Sequence, residues 1–497
     1  MHVIDADVVD LDLNEDRFFD SDAAVRRIAR SIFEETRELP IVSPHGHVDP
    51  RPLADNTPYP EPTALMVRPD HYVLRMLYSL GIPLDRLGIS MRDRREAEAD
   101  PRVIWQILGD HFYLFRATPT AIWFNYQLLH VFGVRRKLDS TSAQPIYDEV
   151  KEKLASPEFR PRALFDRFNI EVLATTDAAS DPLASHAAIR ASGWHARVIP
   201  TFRPDAVLHI ASAGWNAEIE ALAAAHGAPI ADYRTYLLAL RGRRAFFRTM
   251  GATASDHGVE VPYTEPVPDE KAERLFRAAA SRQATPEDQR VFEAHMLMEM
   301  ASMSVEDGLV MQLHAGAFRD HNRSLFDAYG ANIGADIPVA TEFTRNLRAL
   351  LNAYGNDPRL RLILFTLDES TYSRELAPLA GHYPALRLGP AWWFHDSIEG
   401  MLRYRKRTTE TAGIYNTAGF NDDARSFCSI PARHDLSRRV DANWLAGLVA
   451  RHVIDRGEAR SMARALAYDL AKDAYRLHTT AKVPGDDRVR LPTPSSS

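Results

Sequence analysis

Histidines, aspartates and arginines stand at the ends of several short apolar runs in this sequence. The first run ends at His45 and His47, with a single glycine between them. Residues two apart on a strand project to the same side, so the two imidazoles would face one point. Two neutral imidazoles in that arrangement can bind a divalent metal, and Gly46 leaves space for close approach. Two histidines that are only hydrogen-bonded would give the same pattern. The position of the pair in the fold therefore decides between a metal site and such a pair.

Four later runs lead into polar residues of the same kind, at 255–258, 312–316, 366–369 and 421–425. The carboxyl ends of barrel strands meet at one face, and barrel active sites are built there. One His or Asp at a strand end is usually a hydrogen-bonded cap. Its recurrence at five of eight predicted strand ends instead indicates one polar cluster.

The elements that must position this cluster alternate between strand and helix. Apolar runs predict eight strands, at 39–45, 169–175, 197–202, 246–254, 308–314, 360–366, 386–390 and 413–420. Helical patterns lie between most of them, at 178–192, 217–226, 338–354, 371–381 and 397–410. Such alternation implies a parallel sheet. The sequence therefore predicts an α/β protein with a closed TIM-like (β/α)8 barrel, and an open doubly wound sheet is the alternative.

The barrel is predicted to span residues 39–480, after an N-terminal segment and helix at 1–38. Two helical insertions interrupt it, at about 50–165 and 265–304. The first follows the first strand, is rich in aromatic residues, and could form a subunit interface in a homo-oligomer. Residues 481–497 have the polar composition of a disordered tail.

Composition excludes several classes of partner. The net charge of −7 is spread along the chain, which argues against nucleic acid and anionic membranes. It does not exclude a small anionic substrate, because two or three local arginines can bind one carboxylate. The only cysteine, Cys428, allows neither an intrachain disulfide nor a Cys-rich zinc site. The acidic N-terminus does not resemble a signal peptide and no run is long enough to span a membrane, so a cytoplasmic location is predicted.

Arginines and aromatic residues occur near the same predicted strand ends. Arg203 follows the third strand, Arg75 lies in the first insertion, and Trp392 and Trp393 follow the seventh strand. An arginine near a metal commonly binds a carboxylate through two hydrogen bonds. Arg75 could equally form a surface ion pair, and core packing is the safer interpretation for at least one tryptophan.

Together these residues resemble the uronate isomerases of the amidohydrolase superfamily. The matching motifs share the family's order along nearly the whole chain: PHGH at 44–47, PDHYVLRML at 69–77, TFRPDAV at 201–207, SDHG at 255–258, MQLHAG at 311–316, GPAWWFHD at 389–396 and FNDDARSF at 420–427. The family usually has another residue in place of Gly46. The resemblance implies a barrel of the metal-dependent hydrolase type, with a large helical insertion after the first strand.

The resemblance also implies roles for individual residues. One divalent metal would be held by His45, His47 and Asp423. Zinc suits this ligand set, although manganese, iron and cobalt do too. Tyr72, His71, Asp423 and Arg425 would be catalytic. The substrate would be bound by Arg203, His314, Trp392, Trp393, Arg75 and Asp256, the last without a defined role.

A uronate isomerase interconverts D-glucuronate with D-fructuronate, or D-galacturonate with D-tagaturonate. A proton must move from C2 to C1, and the enediolate between them needs a cation such as Arg425. Tyr72 could be the base if a nearby cation lowers its pKa, and Asp423 is the competitor because metal binding leaves its second oxygen free. The metal could polarise a substrate oxygen or hold the distant carboxylate.

Two other functions fit parts of the pattern. Many relatives on this barrel are hydrolases with two metals bridged by a modified lysine at the fourth strand, where this chain has no lysine. A one-metal hydrolase remains open, because His314 and Asp423 could position a water. A sugar-acid binding protein without catalysis is the other alternative, and the full set of candidate acids, bases and ligands argues against it.

Overall fold

The computed structural model describes residues 10–93 and 96–478. The tail predicted at 481–497 lies outside these residues, as do the first nine residues of the predicted N-terminal segment. Within the described part the strands, labelled β1 to β11 in chain order, are Ile41–Ser43, Ile170–Ala174, Asp177–Ala178, Arg197–Ile199, Phe202–Arg203, Ala254–Val259, Val310–Ala315, Ala317–Phe318, Ile337–Pro338, Leu362–Thr366 and Leu386–Leu388.

All strands except the antiparallel pair β8 and β9 belong to a parallel barrel, which confirms the predicted fold class. Strand β2 continues into β3 and β4 into β5, so these four segments make the second and third barrel strands. Parallel ladders then connect neighbours from β1 round to β11. The eighth position is a parallel bridge from Leu388 to Thr417. A backbone hydrogen bond of 2.8 Å from the His47 N–H to the Ala424 carbonyl joins the eighth segment to the first.

Helices cover the outside of the barrel and form the insertion after β1. The α-helices are Ala23–Thr36, Arg51–Asp55, Pro62–Met66, His71–Tyr78, Pro101–His111, Pro119–Tyr126, Ala143–Leu154, Pro161–Arg167, Ala184–Ala191, Asp205–Leu208, Trp215–His226, Tyr233–Thr249, Asp269–Ala280, Pro286–Asp307, Arg323–Tyr329, Arg348–Tyr354, Ala377–Ala380, Ile398–Ala412, Ile430–Ala450, Arg456–Arg464 and Leu470–Ala474. Shorter 3₁₀ and π turns are Leu84–Leu87, Phe112–Phe115, Gln127–Val131, Pro157–Phe159, Tyr372–Leu376, Trp393–His395, Ile414–Asn416, Phe427–Ser429 and Ala465–Asp469.

The prediction of the fourth strand at 246–254 is wrong. Residues up to Thr249 belong to the helix Tyr233–Thr249, which begins with a reciprocal capping box at Asp232 and Thr235. The strand is β6, Ala254–Val259, and it contains the polar residues that were expected to follow it. An apolar pattern missed this strand because its side chains include buried polar groups of the candidate site.

Two other predicted elements differ from the structure. The helix expected at 338–354 is shortened to Arg348–Tyr354, because the segment begins in β9, which pairs antiparallel with β8. The strand expected at 413–420 is reduced to the bridge at Thr417, after a 3₁₀ turn at Ile414–Asn416.

The barrel wall separates two clusters of buried side chains. Buried side chains that include Val42, Val172 and Ile363 form one cluster, whereas Leu173 on the other side of β2 belongs to a cluster with the helices of the first insertion. Alternation of side chains along each strand produces this division. Among the described residues no helix is long and apolar enough to cross a membrane. The cytoplasmic location stays a prediction.

Candidate active site

The end of the first strand and the end of the eighth meet at one triad of side chains. His45 Nε2 lies 3.5 Å and His47 Nε2 3.3 Å from the same carboxylate oxygen, Asp423 Oδ1. The other oxygen of Asp423 accepts a 2.7 Å hydrogen bond from the Trp392 indole. Asp423 has a φ of 44°, a left-handed conformation that is unusual for a non-glycine residue. The surrounding contacts therefore hold this carboxylate in a strained backbone position facing the two histidines.

The electrostatics of the triad suit a divalent cation. Burial lowers the pKa of His45 to about 3, and burial also lowers the pKa of His47, so both rings present neutral lone pairs. Burial raises the pKa of Asp423, but the neighbouring imidazoles, His47 first, outweigh it and hold that pKa below its usual value. Asp423 Oδ1 is buried and accepts no hydrogen bond from the described residues. Two neutral imidazoles and an ionised carboxylate with a vacant oxygen fit a metal.

A second group of possible ligands shares His45. The donor atoms of His45, Asp256 and His314 also lie within 4.8 Å of one another. However, His314 Nδ1 and Asp256 Oδ1 are already joined by a 2.6 Å hydrogen bond. Asp256 also lies 3.4 Å from the Arg203 guanidinium. Because these partners occupy its carboxylate, we favour the triad with His47 and Asp423.

His314 and Asp256 form the wall beside the triad. The His314 ring stacks on His45 at 4.6 Å and on Phe365 at 4.0 Å between centroids. Burial raises the pKa of Asp256, but His314 and then Arg203 lower it well below its usual value. The carboxylate is therefore ionised, and it fixes both the tautomer of His314 and the position of Arg203. Asp256, which the sequence analysis placed among the substrate-binding residues without a defined role, therefore contacts two other candidate site residues in this wall.

Besides Arg433, three arginines line the cavity from different segments. Arg203 pairs with Asp205 at 2.8 Å, and Arg319 pairs with Asp336 at 2.8 Å. Both guanidinium groups lie beside Gly258, where an added Cβ would meet Arg203 at 2.9 Å and Arg319 at 3.7 Å. Arg425 makes no hydrogen bond or ion pair to any residue that the structure describes. Burial lowers its pKa, while Asp423 raises it.

Tyr72 and His71 begin the helix His71–Tyr78, whose N-terminal cap is Asp70. Both line the cavity with the triad. The condition under which Tyr72 could be the base, a pKa lowered by a nearby cation, is not met: burial first, and then Asp396, raise that pKa well above its usual value. The Tyr72 hydroxyl donates a 2.7 Å hydrogen bond to Asp396 Oδ1. Burial lowers the pKa of His71 to about 3, so its imidazole is neutral.

The support of Tyr72 comes from residues that the sequence did not single out. Arg433 donates to Asp396 Oδ2 at 2.9 Å and to the Asp422 carbonyl at 3.0 Å. Its guanidinium also stacks 3.6 Å from the centre of the Trp123 ring. Burial raises the pKa of Asp396 to about 6, although Arg433 opposes this. Arg433 lies on the helix Ile430–Ala450, ten residues past Asp423, where no strand-end pattern points.

Arg319 was also missed, although a positional rule could have found it. It follows β8, five residues after His314, close to the end of the fifth barrel strand. By contrast Arg75, predicted to bind substrate, does not line the cavity. Its guanidinium lies over the Phe394 ring at 4.5 Å, and burial lowers its pKa.

Both tryptophans of the predicted pair lie at the cavity. Trp392 is buried and donates a hydrogen bond to Asp423. Trp393 lines the cavity, and the Arg319 guanidinium lies 5.5 Å from the centre of its ring.

A Cβ at Gly46 would lie 3.4 Å from the Ala424 carbonyl oxygen, an ordinary contact. Close approach therefore does not require glycine between the two histidines.

The cavity has a volume of about 1010 Å³ and lies at the carboxyl ends of the barrel strands. The structure brings together all of the sequence-predicted site residues except Arg75. The residues that line the cavity are His45, His47, His71, Tyr72, Arg203, Asp256, His314, Trp392, Trp393, Asp423 and Arg425. A neutral-imidazole and carboxylate triad, three cations and a protonated phenol can together bind an anionic substrate and move its protons.

Comparison with known proteins gives matches along nearly the whole chain. The profile of the family described as glucuronate isomerase matches residues 14–475. A uronate isomerase of Rhizorhabdus wittichii is 54% identical over 467 residues, 94% of this chain and 99% of that protein. The crystal structure of glucuronate isomerase from Caulobacter crescentus has a TM-score of 0.93 and 50% identity, covering 95% of this chain and 98% of that one. A uronate isomerase structure from Thermotoga maritima has a TM-score of 0.87 and 28% identity, covering 93% and 99%.

Proposed function

Since the chain belongs to the glucuronate isomerase family, it is an isomerase, and we propose that this cavity interconverts the aldose and ketose forms of a hexuronate. D-Glucuronate would give D-fructuronate, and D-galacturonate would give D-tagaturonate. One observation carries the assignment to this cavity: Arg203, Arg319 and Arg425 face the triad of His45, His47 and Asp423. A sugar acid needs cations for its carboxylate and for its enediolate, whereas a neutral amide or ester does not.

Arg203 and Arg319 are proposed to hold the carboxylate of the substrate. Their guanidinium groups flank Gly258, and each is anchored by its own carboxylate partner. An anchored arginine loses little conformational freedom when it binds, so its two-pronged geometry is available in advance. The indole of Trp393 lies beside Arg319 and would cover one face of the bound sugar.

The proton transfers are proposed to involve Asp423 and the Tyr72–His71 pair. Asp423 is ionised, so a carboxylate oxygen can take the proton from C2 and return it at C1. Tyr72 keeps its proton because its pKa is raised, so it is not the base. Its single O–H is donated to Asp396 and would have to turn to a substrate oxygen in order to donate there. With the neutral His71, Tyr72 would move the second proton between the two reacting oxygens. Asp396 and Arg433 hold the hydroxyl in place.

We further propose that the triad binds one zinc ion through His45, His47 and Asp423. When bound, a divalent metal supplies Lewis acidity to a coordinated substrate oxygen. Neutral imidazoles with a carboxylate also suit manganese, iron or cobalt. The sequence-based expectation of a possible homo-oligomer stays a prediction.

Removal of the metal is expected to lower the melting temperature, because a ligand that binds only the folded state stabilises it. Metal analysis should find about one ion per chain in the wild type, in keeping with a single set of three protein ligands that leaves a position open. His45→Asn should reduce this to background and remove the effect of a chelator on melting. His382→Asn, at an exposed histidine, should change neither. Full metal content in His45→Asn would contradict the assignment.

The proposed reaction is tested by incubating the purified protein with D-glucuronate and D-galacturonate and measuring the ketose acid formed. Conversion of at least one uronate is expected. A panel of amides and esters serves as the control for the one-metal hydrolase. Cleavage of one of these, with no turnover of either uronate, would overturn the proposal.

A further inference from the structure

A second cavity lies at the opposite face of the barrel from the candidate active site. It has a volume of about 290 Å³ and is lined by Ile41 and Asn169, which stand at the amino-terminal ends of the first two barrel strands. The Ile41 N–H donates to the Asn169 carbonyl at 2.8 Å, so the cavity reaches the barrel wall itself. Catalytic residues of such barrels lie at the other face, and the mechanism above uses nothing here.

Buried arginines dominate the walls of this cavity. Three of them line it: Arg17, Arg438 and Arg439. The side chain of Arg17 is 10% exposed, and the whole residues Arg438 and Arg439 are 7% and 2% exposed. One largely buried carboxylate, Asp435, faces them, and it lies 2.7 Å from Arg17 and 3.0 Å from Arg439. The remaining carboxylate contact of Arg439 is with Glu15, which is 69% exposed. The buried cations therefore outnumber the buried anions.

Arg438 has no carboxylate partner among residues 10–93 and 96–478. Its terminal nitrogens donate to three neutral acceptors, the carbonyls of Arg37, Leu39 and Pro40, at 2.8–3.0 Å. Its Nε is buried and donates to no acceptor in the same part of the chain. Burial lowers the pKa of Arg438 to about 10, and the distant carboxylates only partly oppose this. A buried cation without a counterion is costly, so such sites normally contain an anion.

The rim of the cavity carries charges of both signs. Arg37 lines it at an exposed position and is ion-paired with Glu34 at 3.3 Å and Glu38 at 3.1 Å. The guanidinium of Arg167 stacks 4.6 Å from the centre of the Phe159 ring and donates to the Val131 carbonyl, so no carboxylate in the described chain neutralises it. An anion that enters would pass Arg167, the rim arginine without a carboxylate partner in the described chain, before it reaches the buried arginines.

We propose that this cavity is a binding site for a small oxyanion with two negative charges, of which a phosphate group is the best fit. Two charges would balance the excess of buried arginines over Asp435. Arginines bind phosphate oxygens in bidentate geometry, as they bind carboxylates. The volume accommodates inorganic phosphate or a small phosphorylated metabolite and excludes larger polyanions. The site is independent of the isomerase activity.

The test is a calorimetric titration of the full-length protein with inorganic phosphate. Sodium chloride keeps the ionic strength constant. Malonate, a small dicarboxylate, is titrated in parallel. Saturable binding of phosphate, tighter than that of malonate, is expected. Arg438→Met should weaken phosphate binding by roughly tenfold or more, as expected for loss of a buried charge-assisted contact.

Asn169→Asp provides a second variant, because Arg438 also supports three backbone carbonyls and its replacement could unfold the chain. Asn169 has a φ of 53°, which Asp tolerates, and the change adds a carboxylate to the cavity at constant size. It should weaken phosphate binding by about fivefold through repulsion. Asn169→Gly is the neutral control, since glycine also accepts this backbone conformation. Neither Asn169 variant should alter isomerase kinetics.

Three results would overturn the proposal. Absence of saturable phosphate binding to the wild type is the first, and tighter binding of malonate contradicts the assigned phosphate group. The third is phosphate binding that Asn169→Asp leaves unchanged while phosphate competes with the uronate, because the anion would then lie at the active-site arginines.

Discussion

Replacing Asp423 by Asn is expected to lower kcat by about 10³–10⁴-fold, near the upper end of what general acid–base catalysis contributes. The amide has nearly the same shape as the carboxylate, and its oxygen can still accept the hydrogen bond from Trp392. It has no negative charge, it cannot take a proton from carbon, and it is a poor ligand beside His45 and His47. One substitution thus removes both functions assigned to this side chain.

The control for this variant is Asp368→Asn. Asp368 also stands at the end of a barrel strand, but its carboxylate caps the backbone N–H groups of Thr341 and Ser370 and does not line the cavity. Loss of these hydrogen bonds should destabilise the protein by about 1 kcal/mol and leave kcat unchanged. Steady-state kinetics of both variants, with circular dichroism as a check on folding, make the comparison. A kcat for Asp423→Asn within tenfold of wild type would exclude Asp423 as the base.

The contrast between Asp368 and Asp423 shows how far the sequence predicts the site. Strand-end position placed both in one polar cluster, since the pattern locates a side chain along the barrel but not its direction. Period-two alternation did identify His45 and His47 as neighbours on one side. The direction of Asp368 is set by the turn that it caps, which is a local feature with no signal in the apolar pattern.

The fourth strand and Arg433 mark the other limit. Strand β6 is partly polar because Ser255, Asp256 and His257 are buried within the barrel, so hydrophobicity alone placed the strand too early. Arg433 contacts Asp396 across 37 residues, and only the tertiary fold brings them together. The raised pKa of Tyr72 follows from this same arrangement, since burial and Asp396 outweigh the cation.

Replacing Arg425 by Met is expected to lower kcat by about 10²–10³-fold, the usual loss when one preorganised donor to a developing oxyanion is removed. Arg425 is the cavity arginine that forms no hydrogen bond or ion pair with the described residues, whereas Arg203 and Arg319 have carboxylate partners. Its N–H donors are therefore available to the substrate. Burial lowers its pKa, which indicates a desolvated cation whose attraction for an enediolate is little screened.

The division of kcat and KM distinguishes this role from simple substrate binding. An arginine that holds the carboxylate contributes equally to the ground and transition states, so its loss raises KM and leaves kcat unchanged. An arginine that stabilises the enediolate acts only as charge develops, so its loss lowers kcat. Arg425→Lys, which keeps the charge but loses the fork of donors, should give an intermediate kcat. Arg323→Met, at a position with 81% side-chain exposure, is the control and should match wild type. A raised KM with wild-type kcat in Arg425→Met would instead mean that Arg425 binds the substrate carboxylate. Only a group that contacts the enediolate as its charge develops can change the rate of the proton transfer.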